Sequence, residues 1–99
     1  MFKIPDYIEL NKLKIKINLD PNLLADTGNF GDYNTRTLTI TLSETLSDQK
    51  KGLILLHEII EAIVDIYALN LKQTEIQALG VAFHELLMQG KLYTIIETE

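Results

Sequence analysis

Cysteine is absent from the 99 residues. Disulfides, thiolate metal sites and a cysteine nucleophile are therefore excluded, and a reducing, cytoplasmic setting is the expectation. Basic residues are in deficit, 9 Lys and Arg against 14 Asp and Glu, for a net charge of −5. A nucleic-acid-binding chain usually presents a basic face, so no nucleic-acid partner is expected. The lysines that do gather, in "NKLKIKIN", alternate with apolar residues and read as the wet side of a strand. A long uninterrupted apolar run is missing as well. The most apolar stretch, 53–71, is broken by His57, Glu58, Glu61 and Asp65, which makes it a buried helix and no membrane span. Phe-Lys-Ile-Pro-Asp after Met1 has no apolar core, so no signal peptide is expected. Repeats, low-complexity tracts and linkers are lacking too, and the length suits one domain, 1–99, with a single core.

What is present is an ordinary globular composition, 46% apolar and 23% charged. In "KLKIKINL", 12–19, Leu13, Ile15, Ile17 and Leu19 face one way and lysines the other, which predicts a half-buried strand stopped by Asp20-Pro21-Asn22. "ADTGNFGDYNTR" reads as a polar loop. "TLTITLS", 37–43, alternates again and predicts a second strand. Ser47 before Asp48 is a helix N-cap signal for a long helix over 48–69. Thr74 is placed to cap a second helix ending near Gln89, with Gly90 as its stop, and "KLYTIIET" reads as a final strand or extended tail. The fold class expected is α+β, a small mostly antiparallel sheet packed on two helices.

The chemistry sits in "LILLHEIIEAIVDIY", 53–67. At about 100° per residue, His57, Glu61 and Asp65 fall together and Glu58 borders them, while apolar residues fill most of the remaining circumference. Any amphipathic helix has a wet face, and this strip reads that way too. It differs in being acidic with a histidine, without Lys or Arg past the first turn. His57 and Glu61 also stand four residues apart, a spacing from which two side chains can meet at one ion.

"LLHEIIEAI" resembles the helix of the H-E-x-x-H zincins, in particular the small ImmA/IrrE-type metallopeptidase domains. It is closer still to short phage and prophage proteins whose helix reads H-E-I-[IL]-E-A-I. "FGDYNTRTLTITLS", 30–43, stands where those families carry the loop and strand that flank the cleft. The resemblance covers about 30–89, and only its helix motif is specific. It implies a zincin-like fold, with Zn²⁺ as cofactor, His57 as first metal ligand, Glu58 as general base and Glu61 in the third motif position, usually histidine. A third protein ligand is then needed. The phage proteins carry a histidine at the position of Gln73, which makes Gln73 the matching residue here, although an amide is a poor zinc ligand. Glu75 and Asp65 are further candidates, Asp65 lying about 12 Å along the helix from His57. His84, in "VAFHELLMQG", flanks a helix whose expected core face is Ile76, Leu79, Phe83, Leu86 and Leu87, and it is expected at the surface or boundary.

The resemblance implies a zinc-dependent metallopeptidase-like phage or prophage protein of a bacterial cytoplasm, weakened or inactivated by the departures at Glu61 and Gln73. An extended substrate would pair with the 37–43 strand. A non-catalytic zincin-like protein that binds a host or phage protein is the alternative. An acidic interaction protein whose strip has no chemistry is the third class left open.

Overall fold

The computed structural model describes residues 4–90. The expected strand over 91–98 lies outside them. Within them the chain forms β1 (Tyr7–Leu10), β2 (Leu13–Asp20), α1 (Leu23–Thr27), β3 (Gly31–Asn34), β4 (Thr39–Ser43), α2 (Asp48–Ile66) and α3 (Gln73–Met88). The four strands make one sheet in the order β1-β2-β4-β3, with two antiparallel pairings flanking a parallel β2–β4 pair. This is the α+β class read from the sequence, mostly antiparallel. No helix among the described residues is long and apolar enough to cross a membrane.

Alternation explains β2. Ile15 and Ile17 are buried, while Lys14 and Lys16 point to solvent, where the Lys14 ammonium lies 4.3 Å from the centre of the Tyr7 ring. Leu13 and Leu19 share the inward face but stay 40% and 43% exposed, because the strand outruns its helical cover at both ends. The lysine run therefore begins one residue late. Asn11 and Lys12, at φ 51° and 64°, make a two-residue turn that pairs Leu10 with Leu13 and adds β1.

The loop expected at 25–36 holds two further elements. Leu23 is buried at the start of α1, and Gly28, at φ 75°, ends that turn with its N–H on the Leu24 carbonyl. β3, "GDYN", has no apolar alternation to reveal it. It becomes a strand by pairing Gly31 to Asn34 with Leu42 to Thr39. Asn34 Oδ1 accepts the Arg36 and Thr37 N–H groups at 2.9 and 3.1 Å and turns the chain into β4. One expectation is overturned here. β4 has β2 on one side and β3 on the other, so it offers no free edge to a substrate.

α2 lies across this sheet and buries Leu55 and Ala62 against Ile15, Ile17, Ile40 and Leu42. Ser47 caps it as expected, its hydroxyl accepting the Lys50 N–H at 3.3 Å. It stops at Ile66, three residues short of the sequence expectation. There the Leu69 N–H bonds to the Val64 carbonyl and the Ala68 N–H to that of Asp65, with Ala68 at φ 53°. This is a glycine-type C-terminal cap made with alanine, so the usual signal is missing.

α3 begins one residue before Thr74, the expected cap. The Lys72 N–H is instead satisfied by Glu75 Oε1 at 2.7 Å, so Glu75, a candidate ligand in the sequence, serves here as the cap of α3. Gly90, at φ 71°, follows its end as expected. Its buried face is Ile76, Gly80 and His84, whereas Leu79 and Phe83 are 38% and 39% exposed. The helix is thus rolled away from the expected core face, and His84 is buried, contrary to the surface placement. Gly80 marks the line of contact. A Cβ there would meet the His57 backbone at 3.5 Å, an ordinary contact, so this is where the two helices lie against each other.

Gly31 is the tightest point between sheet and helix. A Cβ on it would lie 2.5 Å from Ile54 Cγ2 and 3.2 Å from Glu58 Cγ, and a branched isoleucine has little room to turn away. Gly31→Ala should therefore cost about 1–3 kcal/mol through overpacking. Urea midpoints check this, and an unchanged midpoint would mean that β3 rides further from α2.

Candidate functional site

α2 and α3 run antiparallel, with Glu61 opposite Gln73 and His57 opposite Gly80. A cleft lies along α2 between α3 on one side and the α1–β3 loop and β3 on the other. It has two parts. The first is a cavity of ≈350 Å³ where His57 and Glu58 meet Gly31, Phe30, Gln77 and Gly80. The second, of ≈470 Å³, lies one helical turn on and holds Glu61, Asp65, Tyr33 and Gln73. The period of α2 places these side chains on one strip, and the Gly31 and Gly80 backbones approach closely enough to form its walls.

Glu58 is the unusual group. The residue is 8% exposed overall, and its carboxyl accepts no hydrogen bond from any described residue. Burial, then the neighbouring Glu61 carboxylate, then Asp32, push its pKa up from 4.5 to about 7. Tyr33 donates from its hydroxyl to Asp65 Oδ2 at 2.8 Å, tying β3 to the last turns of α2. Partial burial, then that hydrogen bond and the Asp65 charge, push the Tyr33 phenol up to about 12. Asp65 is thereby held by the sheet. The Tyr33 contact and the Gly31 approach were not visible in the sequence, because β3 itself was not.

The expected ligands are brought partly together. Gln73 Nε2 donates to Glu61 Oε1 at 3.0 Å, so position 73 does face the third motif residue across the interhelical turn. His57 lines the neighbouring cavity beside Glu58. The chemistry of this donor set falls short of zinc. An amide that donates its N–H₂ to Glu61 turns a group without a free lone pair toward the site, and it engages the very carboxylate that would ligate. Among the described residues, no group of three or more His, Asp or Glu side chains is arranged to hold a metal ion. His84 supplies no ligand. It is 8% exposed in the α2–α3 seam, its Nε2 without a hydrogen-bond partner.

Protein-family models, curated proteins and solved structures were all compared with the chain, and none matches it.

Proposed function

We propose that the chain is a zincin-like protein whose cleft holds an extended segment of a protein partner without hydrolysing it. The observation that carries this reading is the position of β3. It pairs with β4 alone, so its other edge is unpaired among the described residues, and Gly31 and Tyr33 of this strand line the two halves of the cleft. A free edge beside a groove is the usual seat for strand addition, where main-chain bonds give affinity and pockets give selectivity. The order of sheet, H-E helix and second helix supports the likeness to the phage proteins. The incomplete donor set supports a binding role over a catalytic one.

A heptapeptide of alternating Thr and Val, titrated into ¹⁵N-labelled protein, tests this. The amides of Gly31–Asn34 should shift, those of Tyr7–Leu10 at the opposite edge should not, and the peptide should be recovered intact. Perturbation of β1 alone, or of neither edge at millimolar peptide, would overturn the assignment.

Zinc-dependent peptidase activity is the second reading. The presence of His57 and Glu58 side by side in one cavity favours it, a first ligand beside a general base, although the contact of Gln73 with Glu61 leaves the donor set incomplete. Intact peptide after incubation with zinc counts against this reading, and cleaved peptide would displace the first.

A further inference from the structure

The cavity beside Glu58 combines features that a peptide groove alone does not require. Its walls are largely apolar, formed by Leu53, Ile54, Val81 and Phe30, and no Lys or Arg lines it. Glu58 lines it, a residue only 8% exposed overall whose carboxyl opens on the cavity and accepts no hydrogen bond from any described residue. Two more acids, Glu61 and Asp32, stand close enough to act on that carboxyl electrostatically. A carboxylate that opens on a largely apolar cavity and has no partner in the protein is an acceptor available to a cation.

We infer that this cavity seats a basic side chain, arginine or lysine, of the segment laid along β3, with the cation on Glu58 and the aliphatic stem against the apolar walls. The inference rests on the peptide-binding reading for its partner and on the cavity for its chemistry. Size and polarity agree. Long basic side chains bury their methylenes along apolar surface while their heads seek charge. A volume of ≈350 Å³ accommodates such a side chain with water to spare. Phe30, 47% exposed, offers a ring face to a passing guanidinium. Gly31 matters as well, because it is the strand residue at the cavity wall and its missing Cβ lets the Glu58 carboxyl reach the strand. The net charge of −5 draws in a basic partner before contact.

The test compares two heptapeptides, Thr and Val throughout, with arginine or its neutral isostere citrulline at the centre. Butylguanidinium and butylurea repeat the comparison without a peptide backbone. The arginine peptide should bind at least tenfold tighter than the citrulline peptide, and butylguanidinium should shift the Gly31 and Gly80 amides where butylurea does not. Glu58→Gln, confirmed as folded by its thermal melt, should abolish both preferences. Equal affinity of the two peptides would overturn the cation seat while leaving strand addition in place. Should neither peptide bind, the peptide groove fails, and the small molecules still decide the seat: no shift with butylguanidinium overturns it. A preference that survives in Glu58→Gln would also overturn it, by placing the cation elsewhere.

Discussion

Replacing Gln73 by histidine should raise zinc affinity at least tenfold, about 1.4 kcal/mol or more at 25 °C. The side chain at 73 already reaches Glu61, since its amide lies 3.0 Å from the carboxylate. Exchanging an amide that donates for an imidazole that accepts changes the site in two ways. It removes the competitor for the Glu61 lone pair, and it adds a neutral nitrogen of the kind zinc prefers. His57, Glu61 and the new imidazole would then be three protein ligands, leaving a position open. Calorimetric titration of zinc into wild type and Gln73→His reads the difference. The melting temperature should report it independently: zinc should raise it in the variant and scarcely move it in the wild type, which has a complete apolar core without metal. Equal affinities would mean that His57 cannot join Glu61 and residue 73 at one ion, and the zincin-type site would lose its geometric basis.

The second large effect belongs to Glu58. Its pKa is raised from 4.5 to about 7 by burial first, then by Glu61 and Asp32. The folded state therefore prefers the protonated carboxyl more than the unfolded chain does. This contribution to stability is complete below about pH 4.5 and is lost as pH rises through 7, where a charge must be held in the cavity. Glutamine keeps the shape and the neutral state at every pH. Glu58→Gln should leave stability unchanged at pH 4 and increase it at pH 8. At about 1.4 kcal/mol per pH unit, and discounted for the solvent that reaches the cavity, the gain is about 1–3 kcal/mol. Urea unfolding of both proteins at the two pH values measures it, and the comparison at equal pH cancels the other carboxyls. Stability curves that stay parallel across pH 4 to 8 would show that water already solvates the Glu58 charge. If the same substitution also removes the basic-side-chain preference, the carboxyl will be a case of function kept at the expense of stability.

How far the fold was legible depended on which force made each element. β2, β4, α2 and α3 are written in apolar periodicity, because each presents one face to the core, and all four were found. β1, α1 and β3 are made by pairing and capping. The β1–β2 turn uses Asn11 and Lys12 at positive φ without the Asn-Gly signal, and β3 has Tyr33 as its sole large inward residue. Missing β3 moved the expected substrate edge onto β4, which the sheet encloses. On α3 hydrophobicity points to Leu79 and Phe83, while the seam runs through Ile76, Gly80 and His84. Small residues at a helix contact have no signature on a hydrophobicity wheel. The relation of Gln73 to Glu61 was implied by the resemblance to the phage proteins, which carry a histidine at this position, and not by the periodicity of either helix. The environment of Glu58 was not legible, since it depends on Gly31, the first residue of a strand far away in sequence.

The parallel pairing at the centre of the sheet also dictates an order of assembly. The β1–β2 hairpin, the β3–β4 hairpin and the α2–α3 pair each join neighbours in the chain, and each can form without waiting for the others. β2 and β4 cannot. They pair residues twenty-three positions apart, as in Lys16 with Thr39, and only after the chain has gone out through α1 and returned along β3. Closing that loop has an entropic cost before any contact across it offsets the loss. Ile15 and Ile17 lie on one side of this junction and Ile40 and Leu42 on the other, so the apolar face on which α2 packs is complete only once these strands pair. The barrier to folding should lie there, with three local hairpins on its near side and the core on its far side. The cleft, bordered by β3 and α3, then takes shape only after the barrier is crossed.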